Sequence, residues 1–250
     1  MASRSKIEKN IQRIREDIAK ACARAKREPK DVRIVAVTKT VGLEEIKAVV
    51  DLGLADLGES RVQQLIERSA ELSESLARRH NGPVAQGDST RRAATVRWHM
   101  IGHLQRNKVK AVLEAGVATI HSIDTLRLAE DINVRALKMN KTIDLLMEVN
   151  CSQESQKFGV AVGAAAYLSE MIATLKNVRL VGLMTMAPQV RDPEQARPTF
   201  VRLRELFEEI RHSRVCGDAF NHLSMGMSQD YPVAVEEGAT MVRIGTALFG

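Results

Sequence analysis

The chain has 250 residues, of which 44% are hydrophobic and 27% charged, and its formal net charge is +6. A chain of this length can bury about three quarters of its unfolded surface in one large domain, as many α/β barrels do. No apolar run approaches the ~18 residues of a membrane-spanning helix, and the basic segments contain no interleaved aromatic side chains for base stacking. Composition therefore excludes a membrane-spanning protein and does not favour nucleic acid as a partner.

The three cysteines are Cys22, Cys151 and Cys216, which lie far apart and form no Cys-x-x-Cys pair. Such spacing favours reduced thiols over a disulfide framework or a zinc site, so we expect no bound metal. The N-terminal segment Met-Ala-Ser-Arg-Ser-Lys lacks the apolar core of a signal peptide. Together these features predict a cytoplasmic protein.

Strand and helix patterns alternate along the chain. Apolar residues at helical spacing predict helices, and short β-branched apolar runs predict buried strands. The predicted strands are 32–38, 54–58, 96–101, 117–121, 142–149, 178–184, about 219–223, and 240–244. The predicted helices are 5–27, 43–52, 60–77, one ending at Gly116, one capped by Asp124, 163–175, 193–211 and 230–237. Alternating β and α units require a parallel sheet, and eight units predict a (β/α)8 barrel with one extra N-terminal helix.

Residues 78–95 interrupt this alternation. They are polar, contain Gly, Pro and Ser, and show no hydrophobic period. Such a segment is typical of a long surface loop. We therefore expect one domain over residues 1–250, with an insertion loop at about 78–95.

Two loops of the predicted barrel are candidates for a phosphate site. In (β/α)8 barrels the active face lies at the carboxyl ends of the strands, and phosphate is often bound after strands seven and eight. The segment 224–226, Ser-Met-Gly, follows the predicted seventh strand, and Gly245-Thr246 follows the eighth. Free N–H groups, a hydroxyl and the absence of side-chain bulk suit a phosphate, although ordinary tight turns have the same composition.

Lys39 ends the predicted first strand, between Thr38 and Thr40. Barrel closure sets this strand beside the eighth, so we expect Lys39 to be partly buried next to the phosphate site. A neutral amine there could form an imine with an aldehyde. A phosphate and an aldehyde-reactive lysine indicate pyridoxal 5′-phosphate (PLP) held as a Schiff base. A Schiff-base aldolase acting on a phosphorylated sugar fits the same two features.

Arg243 lies on the predicted eighth strand, two residues before Gly245. A guanidinium keeps its proton, so against a pyridine nitrogen it would donate a hydrogen bond and leave that nitrogen unprotonated. The ring would then be a poor electron sink. Arg243 therefore favours binding of the cofactor over most carbanion chemistry.

Seven segments of the chain together resemble the pyridoxal-phosphate homeostasis protein family. In chain order they are Ala-Val-Thr-Lys-Thr (36–40), Gly-Glu-Ser-Arg-Val-Gln (58–63), Trp-His-Met-Ile-Gly-His-Leu-Gln-Arg-Asn-Lys (98–108), Glu-Ser-Gln-Lys-Phe-Gly (154–159), Gly-Leu-Met-Thr-Met (182–186), Leu-Ser-Met-Gly-Met-Ser-Gln-Asp-Tyr (223–231) and Val-Arg-Ile-Gly-Thr-Ala-Leu-Phe-Gly (242–250). The resemblance implies the alanine racemase N-terminal barrel, fold type III among PLP proteins. It also implies a protein that balances PLP and amino-acid pools and has no established catalytic activity.

The resemblance also implies roles for particular residues. Lys39 would carry the Schiff base and Arg243 would face the pyridine nitrogen. The phosphate would be bound by Ser224, Gly226, Gly245 and Thr246. Further candidates at the same face are Ser60, which stands where the family usually has Asn, together with His103, Asn150 and Met184, for which capping, turn or core roles compete.

Racemases of this fold carry a second, β-rich domain whose tyrosine acts as the second acid/base. The present chain ends at Gly250 with the barrel, and its tyrosines are Tyr167, in a predicted helix, and Tyr231, near the phosphate loop. A two-base racemase needs a proton donor on each face of the ring, and the sequence points to none opposite Lys39. We therefore expect a monomer without catalytic residues that binds PLP and delivers it to apo forms of PLP-dependent enzymes, with racemase-like turnover as the alternative.

Overall fold

Parallel strands close into a barrel in the computed structural model, which describes residues 2–80, 95–152 and 158–250, without the side chains of residues 79 and 80. The strands are β1 Arg33–Val37, β2 Asp56–Glu59, β3 Arg97–Met100, β4 Val117–Ile123, β5 Ile143–Asn150, β6 Val160–Ala161, β7 Val178–Met184, β8 His222–Met227 and β9 Met241–Ile244. The helices are α1 Arg4–Arg24, α2 Leu43–Asp51, α3 Val62–His80, α4 Val109–Glu114, α5 Leu126–Lys138, α6 Val162–Ala173, α7 Arg197–Ser213, α8 Tyr231–Glu236 and α9 Thr246–Phe249.

Strand pairing closes the sheet on itself. The order β4-β3-β2-β1-β9-β8-β7-β5 is completed by pairing of β4 with β5, and the two-residue β6 pairs with the last two residues of β5, Val149 and Asn150. The first and last strands are neighbours, with Val35 opposite Arg243. The predicted (β/α)8 barrel with an extra N-terminal helix is confirmed, since every pairing in it is parallel.

The hydrophobic core has two parts. The larger part lies between the strands and the surrounding helices. A small cluster separate from it consists of Val35, Leu146, Val181, Met184 and Met241, which come from four different strands and pack inside the barrel. Met241 of this cluster lies two residues before Arg243 on β9, and residues two apart on a strand share a face, so the side chain of Arg243 also points into the barrel.

The helix α1 is bound to the end of the chain. Its apolar face is buried at the positions that the helical spacing predicted, and Ser3 caps it by accepting from the N–H of Lys6. The Asn10 amide donates to the carbonyl of Leu248 at 2.9 Å, and the Tyr231 hydroxyl donates to Asp17 at 2.6 Å. Within the described ranges, no helix combines the length and apolarity that crossing a membrane would require.

Several predicted helix boundaries are wrong: α1 ends at Arg24 and not at 27, α7 begins at Arg197 and not at 193, and α5 and α3 also differ. The cap of α5 is Thr125, whose hydroxyl accepts from the N–H of Leu128 at 3.3 Å, and not Asp124. The helix α3 continues to His80, so residues 78–80 are helical and do not belong to the loop that was predicted at 78–95. The polar end of α3 carries no apolar stripe, which is why the hydrophobic period did not reveal it. Residues 81–94 of the predicted insertion lie outside the described residues.

The predicted end of the seventh strand is also wrong. The strand β8 extends to Met227, so Ser224 and Gly226 lie on a strand and not in a loop after it. Serine and glycine are depleted in strands, and their side chains give no apolar alternation to follow. A helix, α9, follows the last strand, where none was predicted.

Candidate functional site

Arg243 lies inside the barrel, where its side chain joins three neighbouring strands. Its Nη1 donates to the hydroxyl of Ser224 at 2.6 Å and to the Ser224 carbonyl at 2.8 Å, and its Nη2 donates to the carbonyl of Thr185 at 2.9 Å. Burial lowers the pKa of Arg243 to about 10, against the opposing effect of the Glu148 and Asp230 carboxylates. The guanidinium therefore stays charged at neutral pH and is held in one orientation.

Ser224 is completely buried on β8. Besides accepting from Arg243, its hydroxyl lies 2.9 Å from Nδ1 of His121 on β4. Both contacts lie in the barrel interior. The side chain of Ser224 is therefore engaged away from the turn at Gly245, with which the sequence had grouped it.

The turn after β9 presents backbone N–H groups to a serine that the sequence analysis missed. The hydroxyl of Ser228 accepts from the N–H of Gly245 at 3.2 Å and from that of Ala247 at 3.1 Å. Thr246 is exposed between them. A serine just beyond the end of β8 could have been found from its spacing, had that strand been predicted at its full length. The N–H groups and the two hydroxyls form a small anion-compatible turn.

Gly245 connects this turn to the first strand. A Cβ built on Gly245 would lie 3.5 Å from both Cβ and the carbonyl oxygen of Val37. Val37 is the last residue of β1, two positions before Lys39. The structure therefore brings the turn after the last strand next to the segment that carries the candidate lysine.

Lys39 is exposed, so the predicted partial burial of this residue is wrong. It lies in a turn after β1 and not on the strand, so its side chain can extend away from the barrel wall. Its carbonyl accepts weakly from the Gln64 amide at 3.5 Å. Among the residues that the structure describes, no hydrogen bond or ion pair of its ammonium is found.

The backbone around Lys39 is fixed by a buried polar cluster. Thr38 and Glu59 are fully buried, and the Thr38 hydroxyl donates to the Glu59 carboxylate. Arg68 of α3 donates to the same carboxylate, to the Thr38 carbonyl and, at 2.8 Å, to the Val41 carbonyl. The turn that carries Lys39 is therefore held on both sides while its amine remains accessible.

Glu148 is a second residue that the sequence analysis did not single out. It is buried on β5, and its burial raises its pKa from 4.5 to about 7, with Asp124 adding to the rise and Arg243 opposing it. A carboxyl group in the apolar run Leu-Leu-Met-Glu-Val was a usable signal, because unpaired acids are rarely buried. Around the closed barrel β5 is the strand opposite β1.

Gly226 and Met184 have packing roles in the structure. Gly226 has a φ of +90°, and a Cβ there would lie 2.5 Å from Cβ of Ala234 in α8. Close packing of α8 on β8 therefore requires glycine at this position. Met184 is buried in the inner cluster and is the register partner of Ser224.

The remaining candidates lie at the carboxyl ends of other strands. His103 is exposed in the loop after β3, its ring stacks on Phe158 at 4.4 Å, and its Nδ1 lies 3.4 Å from Asp124. Asn150 ends β5 and accepts from the hydroxyl of Ser152 at 3.0 Å. Ser60 follows β2 and is half-buried. These residues share the face of Lys39, but no direct contact joins them to Arg243 in the described chain.

The chain is similar to known proteins over nearly its whole length. The family profile "Alanine racemase, N-terminal domain" matches residues 3–250. A pyridoxal phosphate homeostasis protein of Aquifex aeolicus is 41% identical over 240 residues, which cover 96% of each chain. A solved structure of an unknown protein from Bifidobacterium adolescentis is 37% identical with a TM-score of 0.87, covering 98% of this chain and 95% of the other. PipY of Synechococcus elongatus, solved with PLP bound, is 27% identical with a TM-score of 0.79, covering 98% of this chain and all of PipY.

Proposed function

Because the chain belongs to the family of pyridoxal phosphate homeostasis proteins, which have the alanine racemase N-terminal domain, we propose that it binds PLP as a Schiff base on Lys39. The observation that carries this proposal is Arg243, a charged and buried guanidinium on the strand adjoining β1, two residues before the Gly245 turn. A fixed cation two residues before an anion-compatible turn, on the strand that pairs with the one leading to an accessible lysine, fits a phosphorylated, aldehyde-bearing pyridine.

The residues of the site fit the three parts of PLP. Bound PLP would supply an aldehyde and an electron-withdrawing ring. Lys39 offers an accessible amine to the aldehyde, and Arg243 offers an N–H donor to the pyridine nitrogen. The backbone of Gly245 and the exposed hydroxyl of Thr246 offer donors to the phosphate, in the turn that Ser228 now closes.

The two serines take different parts in this proposal. The Ser224 hydroxyl is already engaged by Arg243 and His121, so we assign it to orienting the guanidinium. The Ser228 hydroxyl, at the N–H groups of the last turn, is the better candidate for the phosphate. Gly226 contributes to the site through the close approach of α8, which shapes the same wall of the barrel.

The protein acts, in this proposal, in intracellular PLP homeostasis and not as an enzyme. Its relatives are named homeostasis proteins. An arginine facing the pyridine nitrogen leaves that nitrogen unprotonated and weakens the ring as an electron sink. We further propose a cytoplasmic monomer that hands PLP to apo forms of PLP-dependent enzymes.

One observation favours a second function, a slow racemase-like proton exchange. Glu148 is a buried carboxyl group on β5, across the barrel from Lys39, and its pKa of about 7 lets it hold or release a proton near neutral pH. Incubation of PLP-loaded protein with alanine in deuterated water would test it. Deuterium at the α-carbon that disappears in Glu148→Gln supports the second function, and no incorporation at high protein concentration removes it.

The primary proposal is tested by titration of the purified protein with PLP. We expect a saturable imine absorption in the wild-type protein and none in Lys39→Ala. The matched control is Lys47→Ala, which removes a lysine of α2 that pairs with Glu44 at 2.8 Å; it should bind PLP as the wild type does. A wild-type protein that stays colourless with excess PLP would contradict the proposal.

A further inference from the structure

A continuous chain of hydrogen bonds runs through the barrel from Arg243 to its opposite end. The Arg243 guanidinium donates to Ser224, whose hydroxyl lies 2.9 Å from Nδ1 of His121. Nε2 of His121 lies 2.9 Å from Nδ1 of His99, and Nε2 of His99 lies 2.9 Å from the Asp56 carboxylate. Each link has the length of a good hydrogen bond.

These hydrogen bonds lead from the barrel interior to the face at the amino ends of the strands. Asp56 is the first residue of β2, at the amino ends of the strands, where Arg97 binds its carboxylate through two contacts of 2.8 and 2.6 Å. Ser224, His121 and His99 are all fully buried between that end and Arg243. The three side chains in the middle of this series of hydrogen bonds are therefore closed to bulk solvent.

The chemistry of the two ends fixes the direction of every proton between them. The His99 and Arg97 contacts hold the pKa of Asp56 well below its usual range despite burial, so its carboxylate can only accept. His99 must then carry its proton on Nε2. Burial lowers the pKa of His99, which is therefore neutral and presents a bare Nδ1.

His121 and Ser224 are constrained in the same way. His121 must donate from Nε2 to the bare Nδ1 of His99. Burial and nearby positive charge hold the pKa of His121 well below its usual value, so it too is neutral and its Nδ1 is an acceptor. The Ser224 hydroxyl must therefore donate to His121, which leaves its oxygen to accept from Arg243.

We propose that Asp56, His99 and His121 are positioning residues for bound PLP, because they turn the Ser224 hydroxyl so that it accepts from Arg243 and fixes the guanidinium that faces the pyridine ring. The inference rests on the proposed function and names residues that the sequence did not connect with the site. Asp56 acts here from the far end of the barrel, through three intervening side chains.

The tautomers of the histidines test the inference in the wild-type protein without PLP. Nitrogen-15 NMR of histidine side chains distinguishes a protonated from a bare ring nitrogen. We expect both His99 and His121 to be neutral and protonated on Nε2. A proton on Nδ1 of either ring, or a charged ring at neutral pH, would overturn the proposed direction of the chain.

Two variants then test the consequence for PLP. Asp56→Asn removes the carboxylate that can only accept a hydrogen bond. The new amide can donate to His99, which reverses the direction of donation along the series of hydrogen bonds. We expect a dissociation constant for PLP raised about tenfold and a shifted absorption maximum of the bound cofactor, since a hydrogen bond to a charged group is weakened. Ser224→Ala, which removes one oxygen atom, should also raise the dissociation constant and shift the absorption maximum. It provides the test if Asp56→Asn does not fold.

The matched control is Asp144→Asn. Asp144 lies near the amino end of β5 and pairs with Arg179 at 2.7 Å, as Asp56 pairs with Arg97. It should leave both affinity and spectrum unchanged. Wild-type binding with an unaltered affinity and spectrum in folded Asp56→Asn and Ser224→Ala would overturn this inference alone, whereas a wild-type protein that binds no PLP would overturn the proposed function as well.

Discussion

Glu148 makes the stability of the fold depend on pH. The pKa of this buried carboxyl group is raised from 4.5 to about 7, so the folded state binds its proton more tightly than the unfolded state does. The resulting stabilisation is complete below about pH 4.5 and is lost as the pH rises to about 7, which amounts to about 3 kcal/mol. Glu148→Gln should remove that loss.

Urea denaturation at pH 5 and pH 8 measures this effect. The wild type should lose about 2.5 kcal/mol more between pH 5 and pH 8 than Glu148→Gln does, because part of the stabilisation is already lost at pH 5. The buried histidines contribute equally to both proteins and cancel in the comparison. Glu130→Gln, on the exposed side of α5, is the control and should follow the wild type. Equal pH dependence in the wild type and Glu148→Gln would show that burial does not raise this pKa.

Gly226 is required by packing. In Gly226→Ala the new Cβ would lie 2.5 Å from that of Ala234, at a φ of +90°. We expect the free energy of unfolding to fall by about 2 kcal/mol or more, from overpacking and the positive φ. Gly163→Ala is the matched control, because a Cβ there meets nothing within 4 Å, and alanine should be neutral or stabilising in α6. Thermal unfolding of both variants gives the comparison, and equal melting temperatures would contradict the packing role.

At the scale of single residues the sequence placed Arg243 on the last strand, two positions before Gly245, and the structure confirms that placement. Arg243 is buried beside the last turn because it shares the inner side of the barrel with Val35. The partners of Arg243 could not be predicted, because Ser224 and His121 are 103 positions apart and meet only when the barrel closes. The exposure of Lys39 depends on the turn after β1, which has no hydrophobic pattern to read.

Among the elements, the turn between β1 and α2 depends on one arginine of α3. Arg68→Met would leave the buried Glu59 carboxylate without its charge partner, so we expect a loss of about 3 kcal/mol in the free energy of unfolding. The double variant Arg68→Met/Glu59→Gln should recover much of that loss, because no uncompensated charge remains. Urea denaturation of the two variants measures the difference.

Arg78→Met is the control for this experiment. Arg78 lies on the same helix and pairs with Glu74 at 2.6 Å, but both side chains are exposed. Such a pair contributes about 0.5 kcal/mol or less. A single variant Arg68→Met as stable as Arg78→Met, or a double variant no better than Arg68→Met, would rule out a buried charge at Glu59 as the origin of the effect.

The elements were predicted well wherever the apolar pattern was strong. The strands β1 and β7 and the helices α2 and α6 lie within two residues of their predicted bounds. The end of β8 was missed because Ser224 and Gly226 interrupt the apolar run, and the glycine is there to admit α8. The end of β8 was predicted wrongly because packing against α8, and not local strand propensity, requires glycine at position 226.

At the scale of the whole molecule, a hydrogen bond joins the first helix, α1, to the last helix, α9. The buried Asn10 amide donates to the Leu248 carbonyl of α9, so Asn10→Ala would leave that carbonyl without this donor. We expect a loss of about 1–2 kcal/mol in the free energy of unfolding. The matched control is Gln12→Ala, because the Gln12 amide donates to Glu16 on the exposed face of α1. This variant should lower the free energy of unfolding by about 0.5 kcal/mol or less. Equal losses in the two variants would contradict the role of α1 in fixing the end of the chain.

The barrel architecture could be predicted from the number of alternating strands and helices in the sequence. Such units have few ways to bury both faces of a parallel sheet. The adjacency of the first and last strands followed too, since closure of a barrel places them side by side. The series of hydrogen-bonded side chains inside the barrel, from Asp56 to Arg243, could not be predicted from the number of these units. Its members lie on β2, β3, β4, β8 and β9, and nothing local marks them as neighbours.

The most direct test of the site is reduction of the PLP-treated protein with borohydride, followed by peptide mapping by mass spectrometry. We expect one reduced pyridoxyl phosphate group, on the peptide that contains Lys39, and none in Lys39→Ala. Modification of another lysine, no modification of the wild-type protein, or the trapping of a phosphorylated sugar in place of PLP would contradict it.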